Sequence, residues 1–379
     1  MSRKQALGTI IVFGVLIFGF TAATILTHSV EFSETENRVL AQRPQLKVQS
    51  LLNGEFEADY ESYLTDQFVW RDGWIGLKTA TERLLLKRES KDIYFAEDGY
   101  LIERHTGSFA SGTAERNMEA LAQFAEKYQE QLGTEHITVM IVPNAVEILR
   151  DKLPPFAPPS DEAEYLNRVA KALPENIWLD TAEILRSHEE EELYYKTDHH
   201  WKTLAAFYVY QEWAKEQGLY VPELSDYRIE TVTDSFEGTI QSKLGIQAAG
   251  DTIELFQPQK EIDYTMQRED VESLEHSLYD YAALETKDKY AVYLGGNQGF
   301  LRINTNADID RKILVIKDSY ANCFIPFMLG EFQTIDVLDL RYDRQRLSER
   351  IAESSYTDVL FLYNASGFAE DANIGRLMN

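Results

Sequence analysis

The chain has 379 residues, of which 44% are hydrophobic, enough for a sizeable core in one large domain or two. Its 63 Asp and Glu against 37 Lys and Arg give a net charge of -26, which argues against nucleic acid, because phosphate binding rests on Lys and Arg neutralisation. The same surplus makes a strongly anionic polymer an awkward substrate, unless a local basic patch is hidden in the total, and suits neutral or zwitterionic glycans.

From residue 5 to 30 there is no Asp, Glu, Lys or Arg, and 7–26 is almost continuously apolar. At a rise of about 1.5 Å per residue such a helix reaches across a hydrocarbon layer of about 30 Å. Arg3 and Lys4 precede it, while Glu31, Glu34 and Glu36 follow. The positive-inside rule then makes 1–30 a cytoplasmic tail and single-pass cell-membrane anchor, with the bulk of the protein outside. A cleaved signal peptide is the alternative, though its apolar region is normally shorter and no A-x-A site closes this one, with only Ala22-Ala23 nearby.

Residues 31–48 are polar and irregular and read as a linker onto an extracytoplasmic domain over 49–379. A helical region comes next, over 51–88. Its Phe68, Trp70 and Trp74 are expected in the core, since apolar recurrence at three and four residues marks a buried face. Ile93-Tyr94-Phe95 and Tyr100-Leu101-Ile102 form a hairpin around Asp98-Gly99. A helix over 112–132 leads into the run 137–142, too uniformly apolar for a half-exposed strand and so a central parallel one. The pattern repeats with a strand at 176–180 before a helix at 181–186, a strand at 312–316 before a helix from Ser319, and strands at 334–338 and 358–362. Such alternation predicts an α/β fold, a mostly parallel sheet flanked by helices, with sites at the carboxyl ends of its strands. Between 218 and 311 the pattern changes to an inserted α+β or β region. It forms part of the substrate cleft, with Tyr264 and Tyr293 as cleft or packing residues.

Two stretches carry chemistry. Lys196-Thr197-Asp198-His199-His200-Trp201 offers a carboxylate and an imidazole two residues apart, and Ile316-Lys317-Asp318-Ser319-Tyr320-Ala321-Asn322 offers a serine at the end of an apolar run. A serine hydroxyl is a poor nucleophile at neutral pH. It needs an imidazole to take its proton and a carboxylate to fix the tautomer of that imidazole. In an extended segment residues i and i+2 point the same way, so Asp198 and His200 reach one cleft and His199 points away. The plain alternative is a His-His pair that caps a helix or packs beside Trp201.

At the start of a helix, Ser319 would have unpaired backbone N–H groups and the positive dipole end beside it, ready for an oxyanion. The alternative is capping by Ser319 or Asp318. Asn364, directly after an apolar strand, is the first choice for another oxyanion donor, with Asn322 and Asn297 as rivals. Arg341 comes after a further strand and could hold a substrate carboxylate or hydroxyl, or pair with Asp339 or Asp343. Cys323, the single cysteine, forms no intrachain disulfide and is expected buried; its rival reading, a thiol nucleophile, has no neighbouring His. No metal is expected, because adjacent histidines on a strand point apart and no third cluster accompanies Asp198, His199 and His200.

The Asp198-His199-His200-Trp201 tetrad, the Asp318-Ser319-Tyr320 after a strand and the early Glu36-Asn37-Arg38 resemble the DHHW family. That family is similar to the alginate O-acetylation proteins AlgJ and AlgX of the SGNH hydrolase superfamily. The resemblance runs from about residue 32 to 362 on short motifs. It implies an SGNH hydrolase-like fold in which Asp198 and His200 supply the Asp and His of a triad and Ser319 the nucleophile. Asp and His precede Ser, the reverse of ordinary SGNH enzymes, but a triad is set by geometry and not by chain order. The resemblance further implies a membrane-anchored serine-dependent O-acetyltransferase or esterase acting on a cell-surface or secreted polysaccharide. It needs no cofactor, and a membrane-bound O-acyltransferase supplies it with acyl groups. The alternatives are DltD-like D-alanyl transfer to teichoic acid, and a non-catalytic polysaccharide-assembly or binding protein.

Overall fold

The computed structural model describes residues 2–33, 38–269 and 271–378, so Glu36 and Asn37 of the early motif lie outside the described residues. Two compact units divide the chain, Met1–Lys87 with Ser242–Gln247, and Arg88–Gln241 with Ala248–Asn379.

The smaller unit starts with helix α1 (Arg3–Leu26), whose first turn is closed by a reciprocal cap between Ser2 and Gln5. None of its residues is buried, and it is long and apolar enough to cross a membrane. The helical region expected over 51–88 is three helices, α2 (Val48–Leu52), α3 (Glu55–Asp66) and α4 (Arg71–Leu84). Gly54 at φ 80° and Trp70 at φ 57° separate them, since a left-handed residue ends the hydrogen-bond ladder of a right-handed helix. Phe68, Trp70 and Trp74 are not core. All three rings gather around Phe20 of α1, and Trp70 is 73% exposed. The face of α4 that is buried is another one: Thr79 donates its hydroxyl to the Leu244 carbonyl at 2.8 Å, and Gly76 sits so close to Gly245 that a Cβ would meet the Gly245 carbonyl oxygen at 2.4 Å.

The larger unit opens on the predicted hairpin, Ile93–Phe95 against Leu101–Glu103, turned by Asp98 and Gly99 at φ 54° and 82°. At its centre stand the six strands β1 (Ile137–Val142), β2 (Tyr264–Arg268), β3 (Phe300–Thr305), β4 (Lys312–Lys317), β5 (Thr334–Leu338) and β6 (Asp358–Asn364). Their order is β1-β6-β4-β5-β3-β2. The first four in that order run parallel, and β3 and β2 add antiparallel at the far edge. So the 218–311 segment contributes two strands to the main sheet, besides a separate ribbon of Tyr227–Phe236 against Asp251–Pro258.

Contrary to expectation, β1 is the end of the strand order and not its centre. Its outer edge meets a single bridge, where the Val139 N–H donates to the Ile177 carbonyl at 2.7 Å and the Leu179 N–H to the Val139 carbonyl at 3.1 Å. The strand predicted at 176–180 shrinks to that bridge because Asn176 turns the chain at φ 66°. Uniform apolarity results from coverage of both faces. Val139, Ile141, Leu314, Ile316, Val359 and Phe361 enter one core, while Met140, Val142, Ile313, Val315, Leu360 and Leu362 enter the other, the two-residue period of doubly buried strands. Among helices α5 (Gly112–Leu132), α6 (Glu162–Ala172), α7 (Thr181–Arg186), α8 (Thr203–Glu216) and α9 (Ala365–Glu370), α5, α6 and α9 pack on the first face, α7 and α8 on the second.

Candidate active site

β4 ends at Lys317, and Asp318-Ser319 carry the chain out of the sheet at its carboxyl edge. The chain then makes one 3-10 turn, Ser319–Cys323, in place of the expected helix. So short a turn has no appreciable macrodipole, and its donors count one by one. Asp318 caps it by accepting the Tyr320 N–H at 2.9 Å, and the cap role weighed for Ser319 falls to Asp318.

Residues 196–200 form a series of bends with no regular ladder, so their backbone groups find partners elsewhere. Asp251 accepts the Lys196 N–H and the Thr197 N–H, each at 2.8 Å, and the Thr197 hydroxyl at 2.6 Å. The Gly238 N–H in turn donates to Thr197 Oγ1 at 2.9 Å. Held this way, the loop brings His200 Nε2 to 2.8 Å from Ser319 Oγ across 119 positions of sequence, while His200 Nδ1 lies 2.5 Å from Asp198 Oδ1. All three residues are buried. Asp198 Oδ1 also accepts the His200 N–H at 3.1 Å, and Oδ2 accepts the Thr239 N–H at 2.8 Å and hydroxyl at 3.0 Å.

Burial alone pushes the Asp198 carboxyl up, but His199, His200 and the Thr239 N–H outweigh it and hold the group below the usual carboxylate range. Ionised, it can only accept, so Nδ1 carries the ring hydrogen and Nε2 is left to accept the serine proton.

His199 does not point away. The bent backbone turns its ring onto that of His200, with centroids 3.9 Å apart, and its Nδ1 to Thr239 Oγ1 at 2.9 Å. The other face of His200 is covered by Tyr290, stacked at 3.7 Å and 13°, whose hydroxyl donates to the Ser319 carbonyl at 3.2 Å. The His200 imidazole is thus held between two rings. Trp201 packs beneath, giving its indole N–H to the Tyr320 carbonyl at 2.9 Å. Asp198, His199 and His200 are also close enough to share a metal ion, but their ligand atoms are engaged with one another, with Thr239 and with Ser319. Cys323 is buried, which pushes its thiol up to about 12, so it stays protonated and unreactive.

The remaining predicted residues fall into two groups. Asn364 belongs with the serine: its N–H and Nδ2 donate to Asp318 Oδ2 at 2.9 and 2.6 Å, and its Oδ1 accepts from Gly367, Ser366 and Asn144. Its amide is thereby fixed in one orientation. Asn322, Asn297 and Arg341 gather instead around Lys317. The Lys317 ammonium donates to Asn322 Oδ1 at 2.8 Å and to Asn297 Oδ1 at 2.9 Å, and lies 3.7 Å from Asp339, which Arg341 grips with two bonds of 2.9 and 2.6 Å.

Burial lowers the Lys317 amine from 10.5 to about 8, more than Asp339 restores. Between those values the unfolded chain holds the proton more tightly than the folded one, so stability rises with pH across that window. Lys317→Met, which has no such proton, should lack the rise, worth on the order of 2 kcal/mol between about pH 7.5 and 9.5 in wild type. Urea midpoints taken at about pH 7.5 and 9.5 check this; parallel changes in both proteins would contradict it.

Thr239, Gly238 and Tyr290 had no mark in the sequence. They come from the 218–311 segment, whose turn and aromatic residues match no motif: Gly238 and Thr239 follow the first strand of the ribbon, and Tyr290 sits on a 3-10 turn, Lys289–Val292.

A mixed α/β protein with a Ser, His and Asp constellation at the carboxyl edge of a mostly parallel sheet is what the fold and site define. Residues 108–338, more than half of the chain, match the family described as DHHW protein. The chain belongs to that DHHW family. A solved DHHW family protein from Eubacterium siraeum superposes with a TM-score of 0.63 at 25% identity, over 77% of this chain and 96% of its own. Bacillus cereus PatB1, solved with a sulfonyl adduct, gives 0.62 at 22% identity over 75% and 99%, a likeness of fold. The O-acetyltransferase domain of Pseudomonas putida AlgJ is more distant, 0.45 at 12% identity over 74% and 92%, too remote to build on. No curated protein matches the sequence.

Proposed function

We propose that this protein is a serine-dependent acyl transferase or esterase of the cell envelope, SGNH-like in architecture, moving acetyl groups on or off a polysaccharide. The observation that carries the reading is the relay of Ser319 Oγ, His200 and Asp198 at 2.8 and 2.5 Å. Ser319 attacks the acyl carbonyl while His200 takes its proton, and Asp198 holds the imidazole in the tautomer and orientation this needs. The Ser319 N–H and the second amide hydrogen of Asn364 are the donors offered to the oxyanion. His200 returns the proton to the leaving group, and a sugar hydroxyl or water then resolves the acyl-serine. α1 anchors the chain in the cell membrane with the larger unit outside. A membrane-bound O-acyltransferase supplies the acyl group, and the polysaccharide substrate is inferred from the family resemblance.

A sulfonyl fluoride or fluorophosphonate probe tests the reading, since PatB1 was solved with a sulfonyl adduct. The folded wild type should label at Ser319, as read by mass spectrometry of its peptides, and Ser319→Ala should not. A folded wild type that resists both probes would leave only the non-catalytic glycan-binding reading.

Tyr290 offers a graded check. Tyr290→Phe keeps the stack on His200 and loses the bond to the Ser319 carbonyl, for a loss of up to about tenfold in kcat on an activated acetyl ester. Tyr290→Leu frees one face of the imidazole and should cost about 100-fold, with KM little changed. Equal losses in the two variants would assign the effect to the hydroxyl and not to the stack.

A further inference from the structure

We propose that α4 and the residues just after it lie in the outer headgroup layer of the same bilayer that α1 crosses, which makes the smaller unit a membrane-interfacial platform. The proposal rests on reading α1 as an anchor. Trp70, Trp74, Leu77 and Leu84 recur at spacings of four, three and seven residues, which puts them on one stripe of α4. The stripe is bare: Leu77 is 56% and Leu84 82% exposed, and Leu85 and Leu86 extend it just past the helix end. The buried edge of the helix is a different one, marked by Thr79. A row of leucine and tryptophan left open on one side of a helix, while its other side is packed, is what a membrane or a partner surface covers.

The contact with α1 selects the membrane. Phe20 touches Phe68, Trp70 and Trp74 with ring centroids at 6.0, 6.3 and 5.4 Å, and the Val69 N–H reaches Thr24 Oγ1 at 3.4 Å. α1 has 24 residues, a length of about 36 Å against a hydrocarbon thickness of about 30 Å. Centred in the bilayer, it projects about 3 Å at each end. Phe20 precedes the last residue of α1, Leu26, by about 9 Å along the axis and so sits about 6 Å inside the hydrocarbon boundary. Amphipathic helices bury their apolar faces to about 5–10 Å in this zone, and it is where tryptophan rings concentrate. The start of the α4 stripe is tied to that depth. Lys78, Arg83 and Lys87 are exposed close by, and the acid among them, Glu82, is already ion-paired to Lys78 and Lys87. That arrangement suits anionic headgroups.

Nitroxide labels on the full chain, reconstituted in mixed phosphatidylcholine and phosphatidylglycerol vesicles, test the depth. Cys323 is buried and stays in place, with unlabelled wild type as the check. Leu77→Cys and Leu84→Cys report the stripe, Lys78→Cys the neighbouring polar face, and Val15→Cys the middle of α1. Collisions with oxygen should exceed those with a nickel chelate several-fold at 15, 77 and 84, and the preference should reverse at 78. If 77 and 84 behave like 78 while 15 reports lipid, the platform is wrong and the anchor stands. If 15 is also open to the chelate, the anchor reading fails and the platform with it. Spin–spin broadening at 77 and 84 between copies, with neither collider favoured, would assign the stripe to a second chain and overturn the proposal.

Discussion

Asp198→Asn is expected to lower kcat/KM for an activated acetyl ester by about 10⁴ while leaving the protein folded. Each of the four hydrogen bonds of the Asp198 carboxylate is one it accepts. Oδ1 receives the Nδ1–H and N–H of His200, and Oδ2 the N–H and hydroxyl of Thr239. An amide has one accepting end and one donating end, so neither orientation matches. With its NH₂ toward His200 it forces the hydrogen from Nδ1 to Nε2, which then faces the Ser319 hydroxyl with nothing to accept its proton. With its NH₂ toward Thr239 it confronts the Thr239 N–H, a buried donor left unpaired at a cost of about 1–3 kcal/mol. The first arrangement gives up the longer of two backbone bonds, the His200 N–H at 3.1 Å where the second gives up the Thr239 N–H at 2.8 Å, and it is the catalytically dead one. A thermal melt lowered by a few degrees, from the one backbone N–H left without its acceptor, together with the rate loss is therefore the expected pair of results. A loss under about tenfold in a folded variant would remove Asp198 from any role in orienting the imidazole.

How much of this is legible in the chain depends on whether a feature is local. The helices Gly112–Leu132 and Thr181–Arg186 and the strand Thr334–Leu338 lie where the sequence puts them, because period and capping are settled within a few residues; Ser111 and Asp180 cap the two helices with their own side chains. The neighbours of a strand are not local. Ile137–Val142 is apolar because both its faces are covered, and that pattern is the same at the centre of a sheet and next to its edge. Spacing likewise reveals that Trp70 and Trp74 share a face without saying what the face meets. At the site, the Asp198–His200 pair and Ser319 are visible as motifs, but their meeting depends on Asp251 and Gly238 fixing a bent loop against the ribbon. The same bends defeat the strand rule that sent His199 the other way. Tyr290 and Thr239 reach the imidazole and the carboxylate from a region whose fold has no periodic signature.

Gly238→Ala should be the most damaging change outside the Ser319, His200 and Asp198 set, with a loss of about 10²-fold or more in kcat/KM and at least about 1–3 kcal/mol of stability. The reason is space and not backbone angle, since Gly238 is absent from the residues with positive φ. A Cβ there would stand 2.3 Å from Asp198 Cβ, 2.5 Å from the Thr197 carbonyl oxygen and 2.6 Å from Asp198 Cα. None of these is the end of a side chain that can rotate aside, so the loop and the ribbon must separate by about an ångström to restore van der Waals distance. That separation pulls on both supports of the carboxylate at once. Thr239, the next residue, would carry its N–H and hydroxyl off Oδ2, and the Gly238 N–H would leave Thr197 Oγ1. Gly375→Ala is the matched control, because a Cβ there meets nothing within 4 Å, and it should behave as wild type. The rate of Ser319 labelling by a fluorophosphonate separates the two consequences. A variant that melts a few degrees lower yet labels at the wild-type rate would show the loop relaxing without moving Asp198, whereas slow labelling at a temperature where the protein is fully folded would show the carboxylate displaced from the ring it orients.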